Sequence, residues 1–236
     1  MHNLAVRAGA GMTEVDDAVA LVRAHGWLSQ QPADFQAHVI ERMRVADYQA
    51  GDFLYRRGDP LGGIYGLVAG VVAVDIAPPG DPCRLVQYGT PGAWTGEGCF
   101  LTRQPRRLDL RACGPVKVVH LPLKAMDELV LQQPAWHGCF AQIMMANIYV
   151  LLRIVHDLQI VDVPRRIAAT MARLHVSGAD ALPISQTELG RLSNASRRQV
   201  SAAVKLFTER GWLSATYRSI SILDAHALEQ FSFDED

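Results

Sequence analysis

Seven residues near the C-terminus, Ser196–Ala202, carry the side chains of this chain that are best suited to bind a charged partner through hydrogen bonds. Ser196 is typical of a helix N-cap, because its hydroxyl can accept from backbone N–H groups of the first turn. Val200, Val204 and Phe207 follow at helical spacing and predict a buried face. The side chains that face outward at the start of this helix are Arg197, Arg198, Gln199 and Ser201.

The segment before this helix predicts a second helix and a tight turn. Leu189 and Leu192 supply an apolar face, and Gly190 is small enough to let another helix approach closely. Asn194 stands where a short turn requires a left-handed backbone, which Gly, Asn and Asp adopt most readily. Residues Ile184–Leu206 are therefore interpreted as a helix-turn-helix, whose second helix touches base edges in DNA. An ordinary helical hairpin is the alternative.

The segment after the motif predicts a two-stranded hairpin. Apolar and polar residues alternate in Trp212–Ser214 and again in Ser219–Leu223, as they do in short strands. A hairpin in this position is typical of the wing of a winged helix. Arg218 at its tip is a candidate phosphate contact or, as the alternative, a solvated turn residue.

The formal net charge of −1 hides a strong asymmetry along the chain. Residues 163–223 carry 9 basic and 3 acidic side chains, a balance of +6, whereas residues 224–236 carry 5 acidic and none that are basic. Residues 1–162 are nearly balanced, with 14 basic and 16 acidic side chains. The basic stretch coincides with the helix-turn-helix, and such a patch attracts nucleic acid through phosphate neutralisation and counterion release.

Composition narrows the class of protein. A length of 236 residues predicts two domains. The sequence has no run of 18 apolar residues, so no membrane span is expected. The N-terminal residues lack a secretory signal pattern, so a cytoplasmic protein is expected. No metal site is expected, and the four cysteines are expected to be buried thiols, because they form no CxxC pair. No nucleophile–base pair or P-loop stands out, so the chain is not expected to be an enzyme.

The chain from Arg44 to Leu121 predicts an antiparallel jelly roll, a double-stranded β-helix, because short apolar runs alternate with glycine-containing turns. The predicted fold class is therefore α+β. Its expected parts are a sensor domain over residues 1–133, a dimerisation helix over 134–161 and a winged helix-turn-helix over 162–236.

A long helix is predicted from Pro134 to about Ile160, broken by Asp162-Val163-Pro164. Apolar residues recur along it with the heptad spacing that favours pairing with a second copy. Packing on the protein's own sheet is the alternative. The residues of this predicted dimerisation stripe are Met144, Ile148, Leu151, Val155 and Leu158.

The order of jelly roll, long helix, hinge and winged helix resembles the Crp/Fnr family of bacterial transcription regulators. The segments that carry the resemblance are Gly51–Gly70, Gly96-Glu97, Val163–Ala168 and Ile184–Leu206. The resemblance implies a homodimer on two-fold symmetric double-stranded DNA, with one recognition helix, about residues 196–208, in each major groove. It also makes RNA polymerase a candidate partner.

The recognition stretch departs from the family's usual Ser-Arg-Glu-Thr-Val-Ser-Arg pattern. Arg197 matches it and should pair with guanine O6 and N7, which is worth about 1–3 kcal/mol of discrimination. Arg198 replaces an acid that would accept from cytosine, and Ala202 replaces a second base-reading arginine. A half-site different from the usual family palindrome is therefore expected.

The resemblance also raises the question of an effector, since one branch of the family binds a cyclic nucleotide in the jelly roll. Gly96, Glu97 and Arg106 match the phosphate-binding cassette of that branch. Other positions of the predicted effector pocket depart from it, because Arg107 is bulky and Asp109 would repel a phosphate. Leu151 on the long helix cannot hydrogen-bond a base.

A degenerate cassette predicts no bound cofactor and a pocket that fills itself, with Asp109 neutralising Arg106 or Arg107. DNA binding would then need no ligand. Three alternatives stay open: a regulator that responds to a cyclic nucleotide, a haem sensor with His120 or His137 as ligand, and a ligand- or partner-binding module without DNA binding.

Overall fold

The computed structural model describes residues 12–77, 81, 83–175, 184–216 and 219–233. The chain divides into two compact units, one formed by residues 1–82 and 89–148 and the other by residues 83–88 and 149–236. The boundary between them falls inside the long helix. Each unit has its own core.

Two four-stranded antiparallel sheets form between residues 44 and 121, as the jelly-roll prediction requires. The strand order is β1-β8-β3-β6 in one sheet and β2-β7-β4-β5 in the other. The strands are β1 Arg44–Tyr48, β2 Phe53–Tyr55, β3 Ile64–Ala69, β4 Val72–Ile76, β5 Arg84–Gly89, β6 Trp94–Thr95, β7 Asp109–Ala112 and β8 Val116–Leu121. The α+β fold class is confirmed.

The turn between β3 and β4 requires glycine at position 70. Gly70 has a φ of +84°, and a Cβ added there would lie 2.3 Å from the carbonyl oxygen of Pro115. Only glycine can satisfy both restrictions, because it has no side chain and adopts positive φ freely. Gly70 thus marks the end of β3 in the sequence.

Short helices cover the sheets of the first unit and share one aromatic core. They are α1 Met12–Ala24, α2 Ala33–Arg42, α3 Glu97–Thr102 and α4 Leu123–Gln132. The rings of Trp27 and Trp94 lie 4.9 Å apart, and Phe35 meets Phe140 at 5.3 Å. Phe140 belongs to the long helix, so that helix is anchored in the core by its first turns.

The cysteine expectation is half right. Cys99 and Cys139 are buried, as predicted, whereas Cys83 is exposed and Cys113 is half-buried. The sequence pattern could not distinguish these positions, because burial of a single thiol depends on which strands and helices cover it.

The long helix, α5, spans His137–Gln159 and agrees with its predicted bounds to within a few residues. The stretch Pro134–Gln159 is long and apolar enough to cross a membrane by length and composition, and an 18-residue window within it has a mean hydropathy of 1.6 and is 17% buried. Sequence reasoning did not anticipate this property. A helix that exposes a continuous apolar stripe for pairing has the same composition, so the property has a second physical explanation.

After α5, the described residues form four helices and one hairpin. They are α6 Val163–Leu174, α7 Gln186–Leu192, α8 Arg197–Glu209, β9 Leu213–Ala215, β10 Ile220–Ile222 and α9 Ala225–Phe233. Asp162 caps α6, because its carboxylate accepts from the backbone N–H of Arg165 at 2.8 Å. The core includes Phe207, Trp212 and Phe231, whose rings lie within 5.8 Å of one another. No part of the sequence analysis predicted α9.

Candidate functional site

The helix-turn-helix forms as its turn chemistry predicts. Asn194 has a φ of +48°, and a Cβ added at Gly190 would lie 2.7 Å from the carbonyl oxygen of Ala195. Both α7 and α8 begin with a capping box, in which a serine hydroxyl and a side chain three residues later bond each other's backbone N–H groups. The start of α8 is therefore fixed by local chemistry.

The outward face of α8 carries an uncompensated positive charge. Arg197, Arg198 and Ser201 are exposed. In the part of the chain that the structure describes, no acidic side chain lies within ion-pair distance of either arginine. The only ion pair on this helix among those residues joins Lys205 to Glu209 at 3.8 Å, about two turns further along. The first turn of α8 is thus free to meet an anion.

Gln199 is less free than its exposure suggests. Its side-chain oxygen accepts from the backbone N–H of Ser196 at 2.9 Å and from the Ser196 hydroxyl at 2.8 Å. Pairing with both edge groups of adenine needs the oxygen and the amide N–H₂ together. While the capping box is closed, only the N–H₂ group of Gln199 can reach a base.

The wing forms, although its tip lies outside the described residues. β9 and β10 pair in antiparallel register from Leu213 opposite Ile222 to Ala215 opposite Ile220. Arg218, the predicted phosphate contact, lies beyond the described part of the chain. Its role stays a prediction.

The predicted effector cassette is compact and buried. Glu97 is 9% exposed and Arg106 is 6% exposed. The Arg106 guanidinium donates to the carbonyl oxygens of Gly96 at 3.0 Å and Gly63 at 2.6 Å. A Cβ added at Gly62 or Gly96 would lie 2.5 or 2.7 Å from the guanidinium nitrogens. The arginine head therefore fills the space beside these glycines.

Aromatic rings complete the surroundings of Arg106. Its guanidinium carbon lies 4.2 Å from the ring centre of Tyr55 and 5.8 Å from that of Tyr65. His120 stacks on Tyr65 with the ring centres 4.4 Å apart. Burial, together with the positive charges of Arg106 and Arg44, lowers the pKa of His120 to about 4. A neutral imidazole is therefore part of this packing.

Sequence reasoning missed these aromatic neighbours. Tyr55 and Tyr65 come from β2 and β3, more than about 40 residues before Arg106 in the sequence, and His120 of β8 packs on Tyr65. The one signal available was alternation along each strand, which says that a side chain points inward but not which residue it meets.

Glu97 contacts the long helix through a residue that the sequence analysis did not choose. The side-chain N–H₂ of Asn147 donates to Glu97 Oε1 at 3.1 Å and to the carbonyl oxygen of Trp94 at 3.2 Å. Burial raises the pKa of the Glu97 carboxyl, and the Asn147 hydrogen bond opposes that rise. Leu151, predicted to line the pocket, comes one turn later in α5 and is 52% exposed.

The charges near the cassette are arranged differently from the predicted self-neutralised pocket. Asp109 Oδ1 accepts from the backbone N–H of Arg57 at 2.7 Å, and Arg107 is exposed. The described hydrogen bonds of the Arg106 guanidinium go to the two carbonyls above rather than to Asp109. Arg106, with its carbonyl and aromatic partners, occupies the space beside Gly62 and Gly96, and the self-filled pocket stays a prediction.

The predicted dimerisation stripe is exposed along its whole length. In the single chain each of its five side chains keeps 36–52% of its accessible area. The stripe continues α5 away from the buried Phe140 and Ile143, which are anchored in the first unit. These exposures are Met144 41%, Ile148 36%, Leu151 52%, Val155 52% and Leu158 40%.

A groove of about 1060 Å³ lies in the second unit beside the recognition helix. Gln199, Ala202 and Leu206 of α8 form one wall, and the hinge after α5 forms another. Phe233 of α9 closes one side. The groove contains none of the cassette residues.

Comparison with known proteins agrees with this architecture. The cyclic nucleotide-binding domain family matches residues 45–133, and the Crp-like helix-turn-helix domain family matches residues 165–231. A CRP-like cAMP-activated global transcriptional regulator of Mycobacterium tuberculosis is 23% identical over 216 residues, which cover 88% of this chain and 96% of the relative.

Two solved structures share the fold. A transcriptional regulator of the CRP/FNR family from Thermus thermophilus superimposes with a TM-score of 0.62 at 19% identity, covering 82% of this chain and 100% of the other. The c-di-GMP responsive global regulator CLP of Xanthomonas campestris gives a TM-score of 0.61 at 20% identity, covering 81% of this chain and 99% of the other.

A jelly roll of the cyclic nucleotide-binding type, followed by a winged helix-turn-helix, defines a DNA-binding transcription regulator as the class of protein. Within that class the chain belongs to the Crp/Fnr family, as its sequence motifs predicted.

Proposed function

We propose that the protein binds double-stranded DNA as a homodimer, with α8 of each copy in a major groove, and that it does so without a cyclic nucleotide. The observation that carries the proposal is the pair Arg197 and Arg198, which is exposed and lacks an acidic partner in the described residues at the start of a capped helix.

The capped start of α8 favours base recognition for a physical reason. A guanidinium presents donors in a planar fork that matches guanine O6 and N7. Arg197 stands at the first helical position, where recognition helices contact base edges. Arg198 and Ser201 extend the same face toward a second base or a phosphate.

The exposed stripe on α5 supports a homodimer. Five large apolar side chains in heptad spacing stay in contact with water in a single chain. Burying such a stripe against an identical one removes apolar surface from water and aligns the two helices in parallel. This explanation also accounts for the membrane-like hydropathy of α5 without a membrane, and it supports a cytoplasmic location.

The filled cassette supports binding of DNA without an effector. A cyclic phosphate that displaced the carbonyls of Gly63 and Gly96 from Arg106 would take over the two of its five N–H donors that they occupy. Those two carbonyls would then be left without a partner, which costs free energy in a buried site. The DNA-binding state would thus be populated without ligand.

A cyclic-nucleotide-responsive regulator is the second candidate, and one observation favours it. Glu97 and Arg106 occupy cassette positions within the matched cyclic nucleotide-binding domain. The effectors of its relatives differ, cAMP for the Mycobacterium tuberculosis protein and c-di-GMP for the Xanthomonas campestris protein, so the fold alone selects none. Calorimetry with cAMP and cGMP tests this candidate, and sub-micromolar binding would overturn the filled-cassette proposal.

A mobility-shift titration against an operator found by in-vitro selection tests the main proposal. The double variant Arg197→Ala with Arg198→Ala should lose about 100-fold or more in affinity, because two charged contacts are removed. The control is Arg103→Ala, an exposed arginine of the first unit. Wild-type affinity should fall steeply with salt. Unchanged affinity in the double variant would refute DNA binding through α8.

Nothing in the site supports catalysis, and we propose that the protein is not an enzyme. RNA polymerase remains a proposed partner. A pull-down of polymerase on operator DNA, with and without this protein, tests that partner.

A further inference from the structure

Two helices of the second unit end close to the same arginine. The last carbonyls of an α-helix have no partner inside the helix and must be satisfied by other groups. Arg166, in the first turns of α6, donates to the carbonyl oxygens of Ile160 at 2.5 Å and Val161 at 3.4 Å, directly after the end of α5. The same guanidinium donates to Ser193 at 2.7 Å and Asn194 at 3.1 Å, directly after the end of α7.

The chemistry of this clamp requires arginine. A guanidinium offers five N–H donors in one rigid plane, so it can bond carbonyls on two sides at once. Its positive charge is also favoured by the negative ends of both helix dipoles. A lysine carries its donors on a single nitrogen and could satisfy one side of the clamp, but not both.

A buried ion pair joins α5 to α6 at a second point, in the last turn of α5. Asp157 near the end of α5 is 1% exposed. Its carboxylate accepts from Arg173 Nε of α6 at 2.9 Å and from Arg153 Nε of α5 at 3.0 Å. Arg173 comes later in α6 than Arg166, so the end of α5 contacts α6 at two separate points. Two fixed points resist both bending and rotation at the junction, which one point would not.

We propose that Arg166 is a positioning residue that fixes the direction of the helix-turn-helix relative to the end of α5, and thereby sets the half-site spacing that the protein accepts. The clamp joins the turn before the recognition helix directly to the last residues of the helix proposed to pair. This inference rests on the proposed function, that a homodimer binds DNA through α8. The residues of α8 that face DNA do not by themselves determine the half-site spacing.

Operator spacing gives a readout that stability alone does not move. One base pair more between half-sites displaces and rotates the second site by about 3.4 Å and about 35°. A rigid junction cannot follow that change, whereas a loosened one can. A variant that is merely less stable binds every spacing more weakly in equal proportion.

The experiment measures dissociation constants for three operators that differ only by one base pair more or fewer between half-sites. Wild type should prefer the best spacing by about tenfold, and Arg166→Lys should reduce the preference to about threefold or less. The matched control is Arg103→Lys, an exposed arginine paired with Asp127 in the first unit. It should keep the wild-type preference.

A second variant protects the test against failure of the first to fold. Asp157→Asn removes the charge that accepts from Arg173, with Asp127→Asn as the exposed control, and it should also lower the spacing preference. Circular dichroism melting checks that each variant is folded.

Each outcome decides the inference. An unchanged spacing preference in a folded Arg166→Lys protein, or an equal loss at all spacings, would overturn it, as would a wild type indifferent to spacing. Absence of operator binding by wild type would instead refute the proposed function.

Discussion

Arginines in the cassette and arginines on the recognition helix have opposite surroundings, although both occur as adjacent pairs in the sequence. Arg106 is 6% exposed and bonds two carbonyls beneath two aromatic rings. Arg197 and Arg198 are exposed, with no acidic partner in the described part of the chain. A buried charge is tolerated only when its donors are satisfied, whereas an exposed one keeps them available.

The difference separates stability from recognition. The cassette belongs to the interior of the first unit, so its arginine should matter to folding. The recognition helix presents its arginines to solvent, so they should matter to DNA alone. Substitutions in the two regions should therefore separate an effect on unfolding from an effect on DNA binding.

The largest effect is expected for Arg106→Ala. The change leaves the carbonyls of Gly63 and Gly96 unpaired and opens a cavity, which should lower the free energy of unfolding by about 4 kcal/mol. Urea unfolding measures it, and Arg103→Ala is the control. Operator affinity of the folded fraction should stay unchanged. A stable variant that binds DNA differently would place Arg106 in signalling rather than in packing.

The next effect is a pH dependence caused by His120. Its pKa is lowered to about 4, whereas the unfolded chain binds the proton near pH 6.5. Between these values the unfolded state holds more protons, so stability is complete above pH 6.5 and falls as pH drops, by up to about 3 kcal/mol.

Unfolding of wild type and His120→Gln near pH 7 and at about pH 5 measures this dependence. The variant should lose less stability than wild type on acidification. The exposed His226→Gln serves as the control and should behave as wild type. Equal losses of stability in all three proteins would show that protonation of His120 does not cause the pH dependence.

A smaller effect, of the opposite kind, is expected for Arg197→Ala. Affinity for the selected operator should fall by about 2 kcal/mol, with no change in melting temperature. The loss should be confined to operators with the guanine that Arg197 reads, and a mobility shift with a substituted operator measures that. A uniform loss across operators would make Arg197 a phosphate contact.

The smallest effect is expected for Gln199→Ala, because Gln199 belongs both to the cap of α8 and to its exposed face. Removing the capping oxygen should lower the free energy of unfolding by about 1 kcal/mol or less. Gln199→Glu keeps an oxygen acceptor and should restore the cap, although its negative charge would weaken DNA binding. Full stability of Gln199→Ala would show that the capping box contributes little.

Sequence reasoning succeeded where chemistry is local. The Asn194 turn, the Ser196 cap and the apolar face of α8 are each set by a few neighbouring residues, and the structure reproduces them. The jelly roll was legible from its glycines for the same reason.

Long-range contacts were not legible. Arg106 meets Gly63 across 43 residues, and Arg166 meets the carbonyl of Asn194 across 28. The contact between Glu97 and Asn147 was not predicted, because the rotation of α5 is set by Phe140 and Ile143 in the core. A carbonyl as partner leaves no trace in the sequence, since every residue has one.

The exposed stripe on α5 has a consequence for gene dosage. Under the proposed dimer, scarce chains remain single, and the amount of paired protein rises with the square of their concentration. Promoter occupancy would then respond to a doubling of expression by up to fourfold, so a cell could set a threshold through copy number alone, with no small-molecule signal.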